Sequence, residues 1–187
     1  MEALLVSTGV VALAEIGDKT QLLALVLAAR FRAPLPVIAG ILTATLANHL
    51  AAGALGTLLA AYIDARVMRW LLALSFLGTA LWMLRPDSTP ALAERGGRFG
   101  AYGTTVIAFF VMEIGDKTQL ATVALAARYH ALAAVVGGTT LGMLIADVPV
   151  VLLGRAVAQR LPLAWVQRVA AAVFLVLAVL TLWPGHR

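Results

Sequence analysis

Acid and amine side chains recur in one order at two places in this chain. Glu15-Ile16-Gly17-Asp18-Lys19-Thr20-Gln21 is repeated as Glu113-Ile114-Gly115-Asp116-Lys117-Thr118-Gln119, and each copy lies inside a long apolar run. An ionisable side chain at the centre of a membrane-spanning helix costs about 3 kcal/mol on insertion scales, so three of them, twice over, require partners or a polar cavity. The four carboxylates and two ammonium groups sum to −2 when all are ionised, the charge that one divalent cation neutralises. Oxygen donors suit hard cations such as Ca²⁺, Mg²⁺ or Mn²⁺, whereas Zn²⁺ and Cu⁺ recruit Cys or His. With no cysteine and three histidines in the chain, the hard cations are favoured.

Asp147 adds a fifth carboxylate in another apolar run, and Pro149 two residues later removes the donor that would pair with the Ile145 carbonyl. At the matching depth of the second run stand Asn48, which offers an oxygen, and His49, which offers a group that titrates near neutral pH. Candidate metal ligands are therefore Glu15, Asp18, Glu113, Asp116, Asp147 and Asn48, with Lys19, Thr20, Gln21, Lys117, Thr118, Gln119 and His49 in support. A metal ion and a proton compete for the same carboxylate oxygens, so metal entry and proton release are coupled.

At 100° per residue on a continuous helix, Glu15, Asp18, Lys19 and Leu22 share one face while Thr20 and Gln21 point elsewhere. Those two reach a site only through neighbouring helices, or if Gly17 loosens the turn. A blander reading pairs Glu15 with Lys19 and Glu113 with Lys117 at i,i+4 as internal salt bridges, although buried ion pairs are a poor source of stability. Asp147 could serve as counter-charge to a lysine, and His49 as a packing residue.

The elements that must hold these groups are set by composition. Hydrophobic residues make up 62% of the 187 residues and mean hydropathy is +0.96, the profile of an all-α integral membrane protein. Six stretches have the length of a spanning helix: 3 to 28, 35 to 62, 67 to 84, 102 to 127, 132 to 154 and 163 to 183. Ala12-Leu13-Ala14 looks like a signal-peptide cleavage site, but the start carries Glu2 and no basic residue, so the first stretch is expected to stay as a span. Basic residues are scattered through the loops, which leaves no surface for nucleic acid despite the net charge of +5. Gly40, Gly53, Gly56, Gly137, Gly138 and Gly142 are expected at helix contacts, and Trp70, Trp82, Trp165 and Trp183 at the membrane interfaces.

A shift of 98 positions aligns more than the motif. Ala28-Ala29-Arg30-Phe31 falls on Ala126-Ala127-Arg128-Tyr129, Gly40 on Gly138, Gly56 on Gly154, Pro86 on Pro184 and His49 on Asp147. The expected organisation is two three-helix repeats, 1–86 and 101–187, joined by a linker at 87–100. An odd number of spans per repeat inverts the second copy and brings both motifs to the midplane in antiparallel sense, the build of many secondary transporters. Arg30, Arg32, Arg85, Arg95, Arg98, Arg155, Arg160 and Arg168 fall on one side, and Arg66, Arg69, Arg128 and Arg187 on the other. The positive-inside rule makes the first side, and the linker, cytoplasmic, with both termini outside.

The doubled Glu-x-Gly-Asp-Lys/Arg-Thr/Ser signature at Glu15–Thr20 and Glu113–Thr118 resembles the Gdt1-like membrane cation transporters, and the likeness covers nearly the whole chain. That resemblance implies a calcium or manganese transporter, with bacterial members similar to manganese exporters and eukaryotic members to cation–proton exchangers. It also implies that Glu15, Asp18, Glu113 and Asp116 are cation ligands, with Thr20 and Thr118 at the family's hydroxyl position.

The expectation is a secondary transporter in a bacterial inner membrane, exporting Mn²⁺ or Ca²⁺ in exchange for H⁺ and needing no cofactor. Its rivals are a structural or assembly protein with a fixed ion-pair core, and an exporter of another cation. An organic cation would call for aromatic faces, yet the motif regions offer only Phe109 and Phe110. An intramembrane aspartyl protease gives no reason for a lysine after each aspartate.

Overall fold

The computed structural model describes residues 1–84, 99–154 and 163–183, with backbone only at 163 and 164. Among these residues all regular structure is helical, in eight helices. They are α1 (Glu2–Glu15), α2 (Lys19–Phe31), α3 (Pro34–Tyr62), α4 (Ala65–Met83), α5 (Gly100–Glu113), α6 (Lys117–Tyr129), α7 (Leu132–Leu153) and α8 (Leu163–Leu182). By length and composition α3, α7 and Trp165–Leu182 of α8 can each cross a membrane alone, and α5 is a shorter apolar helix. The linker expected at 87–100 lies outside the described residues up to 98, as do Arg85, Arg95, Arg98, Arg155, Arg160, Arg187 and the Pro86–Pro184 match.

The two motif-bearing stretches are not continuous helices. Each breaks at its motif glycine, where Gly17 takes φ 82° and Gly115 φ 75°, a region that L side chains enter at a steric cost. Asp18 and Asp116 follow in extended backbone, φ −78° and −80°, and become the N-caps of α2 and α6. The single helical face expected for Glu15, Asp18, Lys19 and Leu22 therefore does not exist, because the break re-aims every residue after the glycine.

Local geometry repeats at the 98-residue offset beyond the motif. Arg32 and His130 end α2 and α6 in left-handed conformations, φ 49° and 50°. Pro34, at the start of α3, supplies no N–H where a helix needs none. Asp64 starts α4 by accepting from the Arg66 and Val67 backbone N–H groups at 2.9 and 3.3 Å.

Packing repeats as well, with the halves exchanged. A Cβ on Gly138 of α7 would meet the Leu4 carbonyl and Ser7 of α1, and one on Gly40 of α3 would meet the Tyr102 carbonyl and Thr105 of α5. Leu4 and Ser7 correspond to Tyr102 and Thr105 under the shift, so these are one contact made twice. Phe76 of α4 and Phe174 of α8, also equivalent, touch each other with ring centroids 6.3 Å apart. Gly137 departs from its expected contact role, since no described residue lies within 4 Å of a Cβ there.

Two apolar clusters fill the interior. One joins α4, α6 and α8 to α1 through Leu72, Phe76, Leu125 and Phe174; the other joins α2, α3, α5 and α7 through Leu23, Leu27, Ile41, Phe109 and Met143. The motif breaks lie among these helices, with the side chains of Glu15, Asp18, Glu113 and Asp116 buried while Ile114 and Gly115 reach the surface.

Candidate functional site at the paired helix breaks

Each break presents the same chemistry. α1 and α5 end on Glu15 and Glu113, and α2 and α6 begin after Asp18 and Asp116. A helix C-terminus carries partial negative charge and an N-terminus partial positive charge, so each break offers carbonyl oxygen on one side and N–H on the other. The Gly17 N–H donates to Gln21 Oε1 at 3.0 Å and the Gly115 N–H to Gln119 Oε1 at 2.7 Å, so the last motif residue braces the break. Thr20 donates to Asp18 Oδ2 at 3.2 Å, and the Thr118 hydroxyl lies 3.4 Å from Asp116 Oδ2 and 3.2 Å from Glu113 Oε2. Thr20 and Gln21, which a continuous helix would turn away, therefore lie within the breaks, the arrangement expected if Gly17 loosens the turn.

The lysines do not pair within their own motifs. Lys19 Nζ lies 2.7 Å from Asp116 Oδ1, and Lys117 Nζ is paired with Asp18 Oδ1. These crossed pairs are again one contact made twice with the halves exchanged, and they replace the i,i+4 bridges considered from sequence. The two sides differ in access: Lys19 is 21% exposed and Lys117 only 2%.

Three further carboxylates are buried beside them. Both oxygens of Glu15, both of Asp147 and Oε1 of Glu113 are sealed from solvent without a hydrogen-bond donor among the described residues. His49 Nε2 stands 4.0 Å from Glu113 Oε2, and its two ring nitrogens also lack hydrogen-bond partners among these residues. Asn48 donates its amide to the Phe110 carbonyl at 3.1 Å, which leaves the amide oxygen as the end able to meet a cation. Gln21 donates to the Ala146 carbonyl at 3.1 Å, one residue before Asp147. Pro149 sits inside α7, and beside the Ile145 carbonyl, which it deprives of a helical donor, the Ala146 carbonyl accepts from Gln21.

The structure thus brings Glu15, Asp18, Lys19, Thr20 and Gln21 together with Asp116, Lys117 and Thr118, and sets His49 beside Glu113. Among the described residues no three His, Cys, Asp or Glu side chains converge closely enough to hold a metal ion. Sequence reasoning missed the buried hydroxyls of Ser7, Thr45, Thr104 and Thr140, which have no hydrogen-bond partner among the described residues. Their small polar side chains sit in apolar stretches and carry no period that distinguishes them from helix-contact residues.

Acidic side chains buried inside an apolar helical protein are costly unless a partner or a ligand compensates them. Comparison with known proteins identifies the family. The family model described as "Divalent cation/proton antiporter GDT1" matches residues 3–91 and 101–187. A protein of Vibrio cholerae serotype O1 named "Putative manganese exporter" is 50% identical over 182 residues, covering 97% of this chain and 90% of that relative. No solved structure matches the chain. With the family model spanning both halves and this relative covering nearly the whole length, the chain is an integral membrane protein that belongs to the GDT1 family of divalent cation/proton antiporters.

Proposed function

We propose that the protein exports Mn²⁺ from the cytoplasm in exchange for H⁺, and that Ca²⁺ is the other cation its oxygen donors admit. The observation that carries this reading is the crossed pairing of Asp18 with Lys117 and Lys19 with Asp116, beside Glu15 and Asp147 carboxylates that have no donor among the described residues. Each lysine acts as a tethered cation on an aspartate of the other motif. A divalent ion drawn to Glu15, Asp18, Glu113 and Asp116 displaces both ammonium groups, and Asp147 and the Asn48 oxygen complete its shell. The carboxylates converge only when the lysines withdraw, in keeping with the absence of a gathered three-ligand cluster among the described residues.

The proposed architecture is six crossings in two inverted three-helix repeats, 1–86 and 101–187, with α1–α2 and α5–α6 each serving as one broken span. Its support is the exchange of contacts between halves, the signature of a two-fold axis, and the family matches, which begin at residues 3 and 101, the motif offset. Transport then proceeds by rocking of one repeat against the other around the midplane site. Protons from outside take the carboxylate oxygens as the metal leaves. Both termini lie outside, in a bacterial inner membrane.

Proteoliposomes holding the purified protein test this. With an imposed proton gradient and an interior pH dye, Mn²⁺ flux accompanied by opposite proton movement is expected for wild type, and loss of both by at least about a hundredfold for Glu15→Gln. Glu15 has no hydrogen-bond partner to lose among the described residues, so the variant should fold normally. Absence of Mn²⁺ and Ca²⁺ flux through folded wild-type protein would return the motifs to a fixed ion-pair core. Movement of some other cation would reassign the substrate.

A further inference from the structure

A second polar feature lies away from the motifs, at the end of the molecule where α3 finishes and α4 begins. A pocket of about 460 Å³ opens there between the end of α3, the start of α4 and the ends of α6 and α8. Arg69 of α4, Arg128 of α6 and His130 line its polar part, while Met68, Leu72 and Leu180 supply apolar wall. Among the described residues no Asp or Glu lines it. Two guanidinium groups from different helices facing one cavity repel each other unless an anion lies between them.

The Arg128 guanidinium is held in place, donating to the Thr181 hydroxyl at 2.6 Å. A guanidinium has five N–H donors, so this bond orients the group while others remain to meet an oxyanion. The pocket also lies at a recognisable depth. Trp70 adjoins Arg69, and Trp183 directly follows α8, both well exposed at helix ends where tryptophan marks the headgroup level of a bilayer. A cationic mouth over an apolar floor at that depth matches a phosphate carried on a hydrocarbon tail.

We propose that this pocket binds the phosphate headgroup of an anionic lipid, with Arg69 and Arg128 on the phosphate and the Met68–Leu72–Leu180 wall on the first carbons of an acyl chain. The bound lipid neutralises the two arginines and ties α4 to α6 and α8, and therefore one half of the molecule to the other. The site stands apart from the metal motifs and does not depend on the transport reading.

The test uses the full-length protein in detergent, with lipid adducts read by native mass spectrometry and thermal unfolding followed alongside. The probes are phosphatidylglycerol, phosphatidylcholine and inorganic phosphate. Wild type is expected to retain phosphatidylglycerol over phosphatidylcholine and to unfold at higher temperature with it. Arg69→Gln with Arg128→Gln should lower adduct retention at least about tenfold, since both basic groups that attract the anionic headgroup are then gone. Arg69→Gln alone removes an exposed side chain, so it reports the same loss in part even if the double variant is unstable. Arg66→Gln, one turn away and outside the pocket lining, should behave as wild type. Equal retention of both lipids, or unchanged retention in the Arg69 and Arg128 variants, overturns the assignment. Protection by inorganic phosphate equal to that by phosphatidylglycerol overturns the lipid in favour of a soluble phosphate.

Discussion

Lys117 and Lys19 hold equivalent sequence positions in different surroundings, and that difference sets what their partners are worth. Lys117 is 2% exposed, so Asp18→Asn removes the anionic member of a buried pair, a change that costs about 3–5 kcal/mol. Lys19 is 21% exposed and can turn towards water, so Asp116→Asn should cost no more than about 1 kcal/mol. Thermal unfolding in detergent checks the order: Asp18→Asn should lower the midpoint clearly more than Asp116→Asn. Lys117→Met added to Asp18→Asn should recover most of that loss while Mn²⁺ flux stays absent. If the double variant transports, the aspartate is a structural counter-ion and not a ligand. The motif residues were legible as chemistry from type and spacing alone. Their partners were not, because a lysine placed by helix periodicity faces its own glutamate, and only the break at the glycine turns it to the other motif.

The helices meet through small residues, since lipid offers no hydrophobic drive for helix association and close backbone approach must supply the attraction. Gly142 of α7 has the Thr8 carbonyl 2.6 Å and the Ala12 nitrogen 2.8 Å from where a Cβ would stand. Both atoms are backbone and cannot give way by rotating. Gly142→Ala should therefore destabilise by about 1–3 kcal/mol, the usual cost of overpacking. Gly137→Ala, five residues earlier with no described residue within 4 Å, should be neutral or stabilising by up to about 1 kcal/mol through helix propensity. Comparing the two unfolding midpoints separates contact from propensity, and equal effects would contradict the α1–α7 packing. Sequence reading gave both glycines the same role because composition records that a residue is small, not which way it faces.

For the whole molecule, the cysteine-free sequence provides a direct test of how the protein crosses the membrane. Leu35 and Tyr62 are exposed residues near opposite ends of α3, 76% and 87% exposed, and a helix of 29 residues spans about 43 Å. In intact cells a membrane-impermeant maleimide should label Tyr62→Cys and spare Leu35→Cys until the membrane is opened. The reverse pattern inverts the orientation, and labelling of both in intact cells removes α3 as a span. Hydropathy, the doubled motif and the arginine asymmetry were enough to expect a helical membrane protein with a duplicated cation site, because each depends on residue type along the chain. What folding decided depends on atoms far apart in sequence. A glycine inside an apolar run is compatible with an unbroken helix, and here it becomes a break where Gln21 and Gln119 accept from the freed glycine N–H groups and Asn48 of α3 donates to the Phe110 carbonyl of α5. The crossed aspartate–lysine pairs and the Phe76–Phe174 contact exist because two equivalent halves face each other, an arrangement that no local period along one half encodes.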